Sequence, residues 1–255
     1  MIKMEIIFAL LIAFFVGGAA GYLGTLMLVK RMSLAVDPLG HLALPGIALA
    51  MLLGFDISIG AFLAIIIGVF IIWLLQLRTK LPTEALTAII FVFGVAMAFL
   101  FISEEDIIPV LLGDVSKINF FSAFTVVSLS SAIILVTKKI YPKMVLIGIS
   151  EDIAKSEKID VKLYELFYLV CVAIIVSLGV RVVGGLMAAA LVAIPASASR
   201  NLARKLSHYS FFGFLIGALS FFLGVYFSFL LGIQPGIVII LINIIIFAFS
   251  VIFKR

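Results

Sequence analysis

The sequence predicts an all-α integral membrane protein, a polytopic bundle of about eight to nine transmembrane helices within one transmembrane domain, 1–255. Three observations carry that expectation. Of the 255 residues, 65% are hydrophobic and 12% are charged. The mean hydropathy is +1.40. The apolar residues fall in long unbroken runs rather than short alternating segments. A soluble domain is nearer half apolar and a quarter charged, so this chain has too few charges to cover a water-facing surface. About 20 apolar residues cross a bilayer as a helix, and a β-barrel would alternate in segments of about ten.

Nine runs qualify as spans: 5–29, 34–54, 57–77, 83–102, 119–137, 163–183, 184–200, 209–231 and 236–253. The first begins near the N-terminus and resembles a signal peptide in its placement. Its apolar stretch reaches Val29 and closes on Lys30-Arg31, too long for a cleaved leader, so a retained span is expected. The second and seventh are short and carry Pro45 and Pro195; the seventh follows the sixth across Gly184-Gly185 alone.

The basic residues set an orientation. With the N-terminus outside and nine alternating spans, 15 of the 18 Lys and Arg fall at inner ends, including Lys30, Arg31, Lys138, Lys139, Lys143 and Arg200. Only Lys3, Lys117 and Arg181 fall outside. This is the positive-inside pattern. It also accounts for the net charge of +5 without nucleic acid. One inner loop, about 138–162, is polar for about 25 residues and is expected to be the largest cytoplasmic piece. Within it, 150–158 can form a short amphipathic helix with Ser150 as its cap and Glu151 and Asp152 in its first turn.

Few polar residues inside the spans can carry chemistry. Charges in a membrane are costly and usually functional. Asp37 and His41 are spaced i, i+4, which places both on one helix face. Carboxylate and imidazole together suit divalent transition metals. Glu84 opens the fourth span. Asp37 lies six residues after Arg31 and Glu84 four after Lys80, so the three can share a depth if their helices are neighbours. Plainer roles stand beside these. Asp37-Pro38 is a good helix start, Glu84 a first-turn acid, and His41 a hydrogen-bonded structural histidine. His208, beside Arg204 and Lys205, reads as a solvated loop residue, and the lone Cys171 has no partner for a disulfide or a CxxC site. No G-x-x-x-x-G-K-[ST] phosphate loop, H-E-x-x-H or G-x-S-x-G occurs, so the chain is not expected to be an ATPase or another enzyme.

Six blocks, in order, resemble the metal-importing permease family of ATP-binding-cassette (ABC) transporters, which serve zinc, manganese or iron uptake. The first is Arg31-Met32-Ser33 with Asp37-Pro38-Leu39-Gly40-His41-Leu42-Ala43-Leu44-Pro45-Gly46-Ile47-Ala48. The others are Glu84 through Phe91, Leu111-Leu112-Gly113-Asp114, Glu151-Asp152-Ile153-Ala154, Arg181-Val182-Val183-Gly184, and Ala193 through Arg200. The resemblance implies a type II ABC importer-like fold in the cytoplasmic membrane of a prokaryote. It implies a homodimer of permeases, separate cytoplasmic ATPase subunits and an extracellular metal-binding protein. No permanent cofactor is implied; the divalent ion (Zn, Mn or Fe) is the cargo, with Asp37, His41 and Glu84 along its path. One block departs from the pattern. Where many members carry S-x-x-x-D-x-P-x-G, this chain has Ser228, then Gly232-Ile233-Gln234-Pro235-Gly236, without the acid. Two other readings follow from the same residues: a permease for a metal chelate of siderophore or cobalamin type, which needs a wide path without metal ligands, and an ion-coupled secondary carrier, which usually shows inverted repeats.

Overall fold

The computed structural model describes residues 2–29, 42–55, 57–79, 81–101, 120–184 and 188–253. Among them are ten α-helices and no strand. They are α1 (Ile2–Val29), α2 (Ala43–Leu53), α3 (Ile57–Arg78), α4 (Thr83–Phe101), α5 (Phe120–Ile149), α6 (Glu151–Ser156), α7 (Val161–Val183), α8 (Ala188–Leu202), α9 (Leu206–Leu231) and α10 (Pro235–Ile252).

The expected count of eight to nine full spans is not matched. Six helices, α1, α3, α5, α7, α9 and α10, are long and apolar enough to cross a membrane. The remaining expected spans hold helices that fall short of that measure. The described part of 34–54 is the 11-residue α2, and α8 has 15 residues. In α4 the qualifying apolar stretch is only Ala85–Met97. Hydropathy marks apolar helices equally well whether they run the full thickness or stop partway.

The polar stretch after residue 137 is also more helical than expected. α5 runs on for 12 residues through Lys138, Lys139 and Pro142 to Ile149. Lys and Arg lower hydropathy but are good helix formers. Pro142 removes one backbone donor and frees the Lys138 carbonyl beside exposed residues, where water can satisfy it. Next comes α6, capped as its sequence suggests: the Ile153 N–H donates to Ser150 Oγ at 3.4 Å. Lys155 reaches back to Glu151 at 3.6 Å, and Ala154 is buried.

α1 is the central post. It packs against α5, α7, α8 and α9, and its Ala13, Val16 and Leu26 are fully buried. Lipid offers no hydrophobic drive for helices to associate, so close backbone approach at small residues has to do that work. α1 and α9 run antiparallel with Gly17 opposite Gly217 and Gly21 opposite Gly213. A Cβ on Gly21 would land on the carbonyl oxygen of Gly213, and one on Gly217 on that of Gly17. The same device recurs where Gly24 meets the Val192 carbonyl of α8 and Gly236 the Val183 carbonyl of α7. Near the C-terminal end of α1, Thr25 Oγ1 donates to the Tyr22 carbonyl (2.7 Å) and accepts from the Tyr141 hydroxyl of α5 (3.0 Å).

Backbone contact of this kind cannot relax around an added methyl. Gly21→Ala is expected to destabilise the protein by roughly 1–3 kcal/mol. Gly94→Ala meets no backbone, only the flexible end of Leu42 at 3.3 Å and the Pro45 ring at 3.6 Å, and should cost less. Thermal unfolding of the two purified variants in detergent checks the order; equal midpoints would count against the glycine contact.

Candidate functional site

The site begins at α2, the helix that follows the Asp37/His41 segment. α2 is held by glycine. Gly46 lies against Gly60 of α3, and a Cβ on either would strike the other's carbonyl oxygen. Pro45 sits at the third helical position, where its missing N–H has no intrahelical partner to lose. α2 ends at Gly54, in the left-handed conformation at φ 72°, with its N–H bonded to the Ala50 carbonyl. Leu42, Ala43, Ile47 and Ala48 are buried.

Two more glycines fix the register. Leu42 packs over Gly68 of α3 and Gly94 of α4, and Pro45 also meets Gly94. Since Gly46 faces Gly60 while Leu42 faces Gly68, α2 and α3 are antiparallel. α4 begins at Thr83, with four residues between it and the end of α3. The Pro82 carbonyl receives the Ala85 and Leu86 N–H groups (3.0 and 3.3 Å) and starts α4.

The structure thus makes α2 and α4 neighbours. Asp37 and His41 lie outside the described residues. Glu84 is the second residue of α4. It precedes Gly94 by ten residues, about 15 Å along the helix, and Asp37 precedes Leu42 by five. Among the described residues, no three His, Cys, Asp or Glu are gathered in a form that could hold a metal ion.

A second polar contact was not singled out in the sequence. Gln76 Nε2 of α3 donates to Glu165 Oε2 of α7 at 3.5 Å. Its signal was two polar residues inside the expected spans 57–77 and 163–183. Asn243 is another: 1% exposed in α10, with no hydrogen-bond partner for either side-chain atom among the described residues.

At the far end of α9, Gly232 takes the left-handed cap position at φ 66°, its N–H on the Ser228 carbonyl. Ser228 Oγ donates to the Ile233 carbonyl at 2.6 Å, and Pro235 opens α10. A Cβ at Gly232 would meet nothing within 4 Å. The conformation that favours glycine here is one that Asp and Asn also adopt.

Residues 3–254 match the family described as the ABC 3 transport family.

The chain belongs to the ABC 3 transport family.

Two relatives in the same family range over nearly the whole chain. A manganese transport system membrane protein, MntC of Listeria monocytogenes, is 23% identical over 249 residues, covering 96% of this chain and 89% of its own. A probable iron transport system membrane protein of Haemophilus influenzae is 24% identical over 251 residues, covering 96% and 89%. The fold has solved counterparts. PsaBC from Streptococcus pneumoniae, in complex with a Fab, superposes with TM-score 0.82 at 24% identity, covering 95% of this chain and 89% of that one. A metal-chelate type ABC transporter in an inward-facing conformation gives 0.76 at 19%, covering 96% and 86%.

For this ABC 3 protein the α2–α4 register is open to a direct check. Cysteines at Leu42 and Gly94 should join through a short bifunctional thiol reagent. Cysteines at Leu42 and Glu84, the latter about 15 Å from Gly94 along α4, should not. The reverse result on denaturing gels would discard the register.

Proposed function

We propose that this chain is the membrane permease subunit of an ATP-driven importer for a divalent transition-metal ion, with manganese or iron the first candidates and zinc a third. The observation that carries the reading is the family match over residues 3–254, combined with an Asp37/His41 pair on the segment entering the glycine-locked α2. The transport roles that the manganese and iron relatives are named for support it. The metal-chelate alternative draws support from one structural neighbour, and it predicts a neutral role for His41.

In this reading two copies of the permease form the path, and separate ATPase subunits dock on the inner face. An extracellular binding protein delivers the ion. The docking element is α6, whose Glu151, Asp152 and Ile153 are exposed beside the equally exposed Ile149. The chemistry of transit needs binding that is reversible, so two or three protein ligands serve better than a closed four-ligand cage. Asp37 supplies charge and His41 a nitrogen lone pair; Glu84 is the third candidate. With no acid at Gly232, selection among manganese, iron and zinc falls on those three residues. Imidazole binds metal only when neutral, so metal affinity rises with pH through its ordinary pKa of about 6.5.

Two outcomes test the reading. His41→Ala and Asp37→Asn should each abolish manganese or iron uptake in proteoliposomes holding the complete transporter, while the protein still folds and binds its ATPase. Asn caps a helix about as well as Asp, so full uptake by Asp37→Asn would leave only a capping role. Separately, Glu151→Lys with Asp152→Lys should uncouple ATP hydrolysis from uptake or release the ATPase on purification. A cysteine at Lys155 should label from that same face. Full transport by the charge-reversed protein would move the contact elsewhere.

A further inference from the structure

Where α5 leaves the bilayer, its exposed face carries a pair of lysines with no carboxylate to meet among the described residues. Counting from the exposed Phe120 at the start of α5, Lys139 lies 19 residues on, about 29 Å along the helix. That is close to the roughly 30 Å of a hydrocarbon core. Lys143 is one turn further, at headgroup level. Both side chains are exposed and share a helix face. Like charges at i, i+4 oppose helix formation unless an anion lies between them. Among the described residues neither has a carboxylate within salt-bridge distance.

Lys143 is nevertheless held in place. Its Nζ donates to the Tyr164 hydroxyl of α7 at 2.7 Å and stands 5.0 Å over the same ring. A phenol neutralises no charge, and two ammonium protons stay free. One turn towards the membrane the walls become apolar: Leu135 and Val136 on α5 and Phe167 on α7 are all exposed. A basic pair above an exposed apolar wall matches one kind of occupant, a lipid with an anionic head and two acyl chains.

We propose that Lys139, Lys143 and Tyr164 form a binding site for the phosphate of an anionic phospholipid at the α5–α7 boundary, next to the α6 docking element. The Lys139 and Lys143 ammonium groups donate to the phosphate oxygens. Tyr164 fixes Lys143, and the acyl chains lie along Leu135, Val136 and Phe167. The lipid would steady the stretch through which α6 joins the bundle. The site rests on the membrane embedding in the preceding section but not on its sidedness, because a nanodisc offers both leaflets.

The test uses the permease purified with its ATPase. Native mass spectrometry follows phosphatidylglycerol or phosphatidylcholine titrated onto the detergent-solubilised complex. ATP hydrolysis is measured in nanodiscs of phosphatidylcholine with and without phosphatidylglycerol. Retention of phosphatidylglycerol should exceed that of phosphatidylcholine. Lys139→Gln with Lys143→Gln should weaken it about 30-fold, at roughly tenfold per 1.4 kcal/mol and one such kilocalorie per lysine. Tyr164→Phe, which keeps the ring, should weaken it about 5-fold. Phosphatidylglycerol should stimulate hydrolysis in the parent and not in the double variant. Unchanged lipid retention in either variant overturns the proposal, as does displacement by inorganic phosphate, which would make the ligand a soluble anion. Loss of the ATPase with lipid retention intact also overturns it and makes the patch a protein contact. Failed metal uptake with intact lipid selectivity would instead count against the transport reading alone.

Discussion

Everything in this bundle hangs on how closely two backbones can approach in lipid. Between α1 and α9, glycine carbonyl oxygens sit where a side chain would otherwise stand, at Gly17, Gly21, Gly213 and Gly217. Each contact gains dispersion energy over the width of a helix, and some gain Cα–H···O bonding as well. With α9 fixed on α1, α10 follows through Gly224 and Ile239, and α8 through Gly24 and Val192. The helices that line the proposed path are placed by the same rule at Gly46 and Gly60. A membrane transporter must hold shape without the water-driven collapse that holds soluble cores, and here small residues do that work.

That framework gives α2 its character. α2 has only 11 residues, yet it packs closely against both α3 and α4. It is wedged between α3 and α4 by Leu42 over Gly68 and Gly94.

Much of this was legible in the sequence. Apolar runs located every long helix, because lipid forces each buried backbone group to be satisfied within its own segment. The Ser150 cap was readable from a local rule and holds at 3.4 Å. Six motif blocks pointed to the family that the whole-chain match establishes. What was not legible depends on neighbours or on length. Nothing in local hydropathy says that α5 should continue past Lys138, since the signal for leaving lipid is not a signal for ending a helix. The contact of Gln76 with Glu165 joins residues 89 apart in sequence. Gly232 read only as a missing acid; the structure adds that it is also a left-handed cap. Asp37 and His41 stay with the sequence argument, and for Glu84 the structure adds its place on α4.

The 30 residues of α5 make one rod about 45 Å long. Pro142, the point most apt to bend, lies beyond the apolar part, so the stretch from Phe120 to Tyr141 is uninterrupted. α6 is attached to the C-terminal tip by a single residue, Ser150. Such a rod behaves as a lever. A tilt of a few degrees about its middle swings both tips by more than an ångström, in opposite directions. Motion imposed on α6 would thus arrive at the opposite end of α5 as displacement, with no loop between to absorb it.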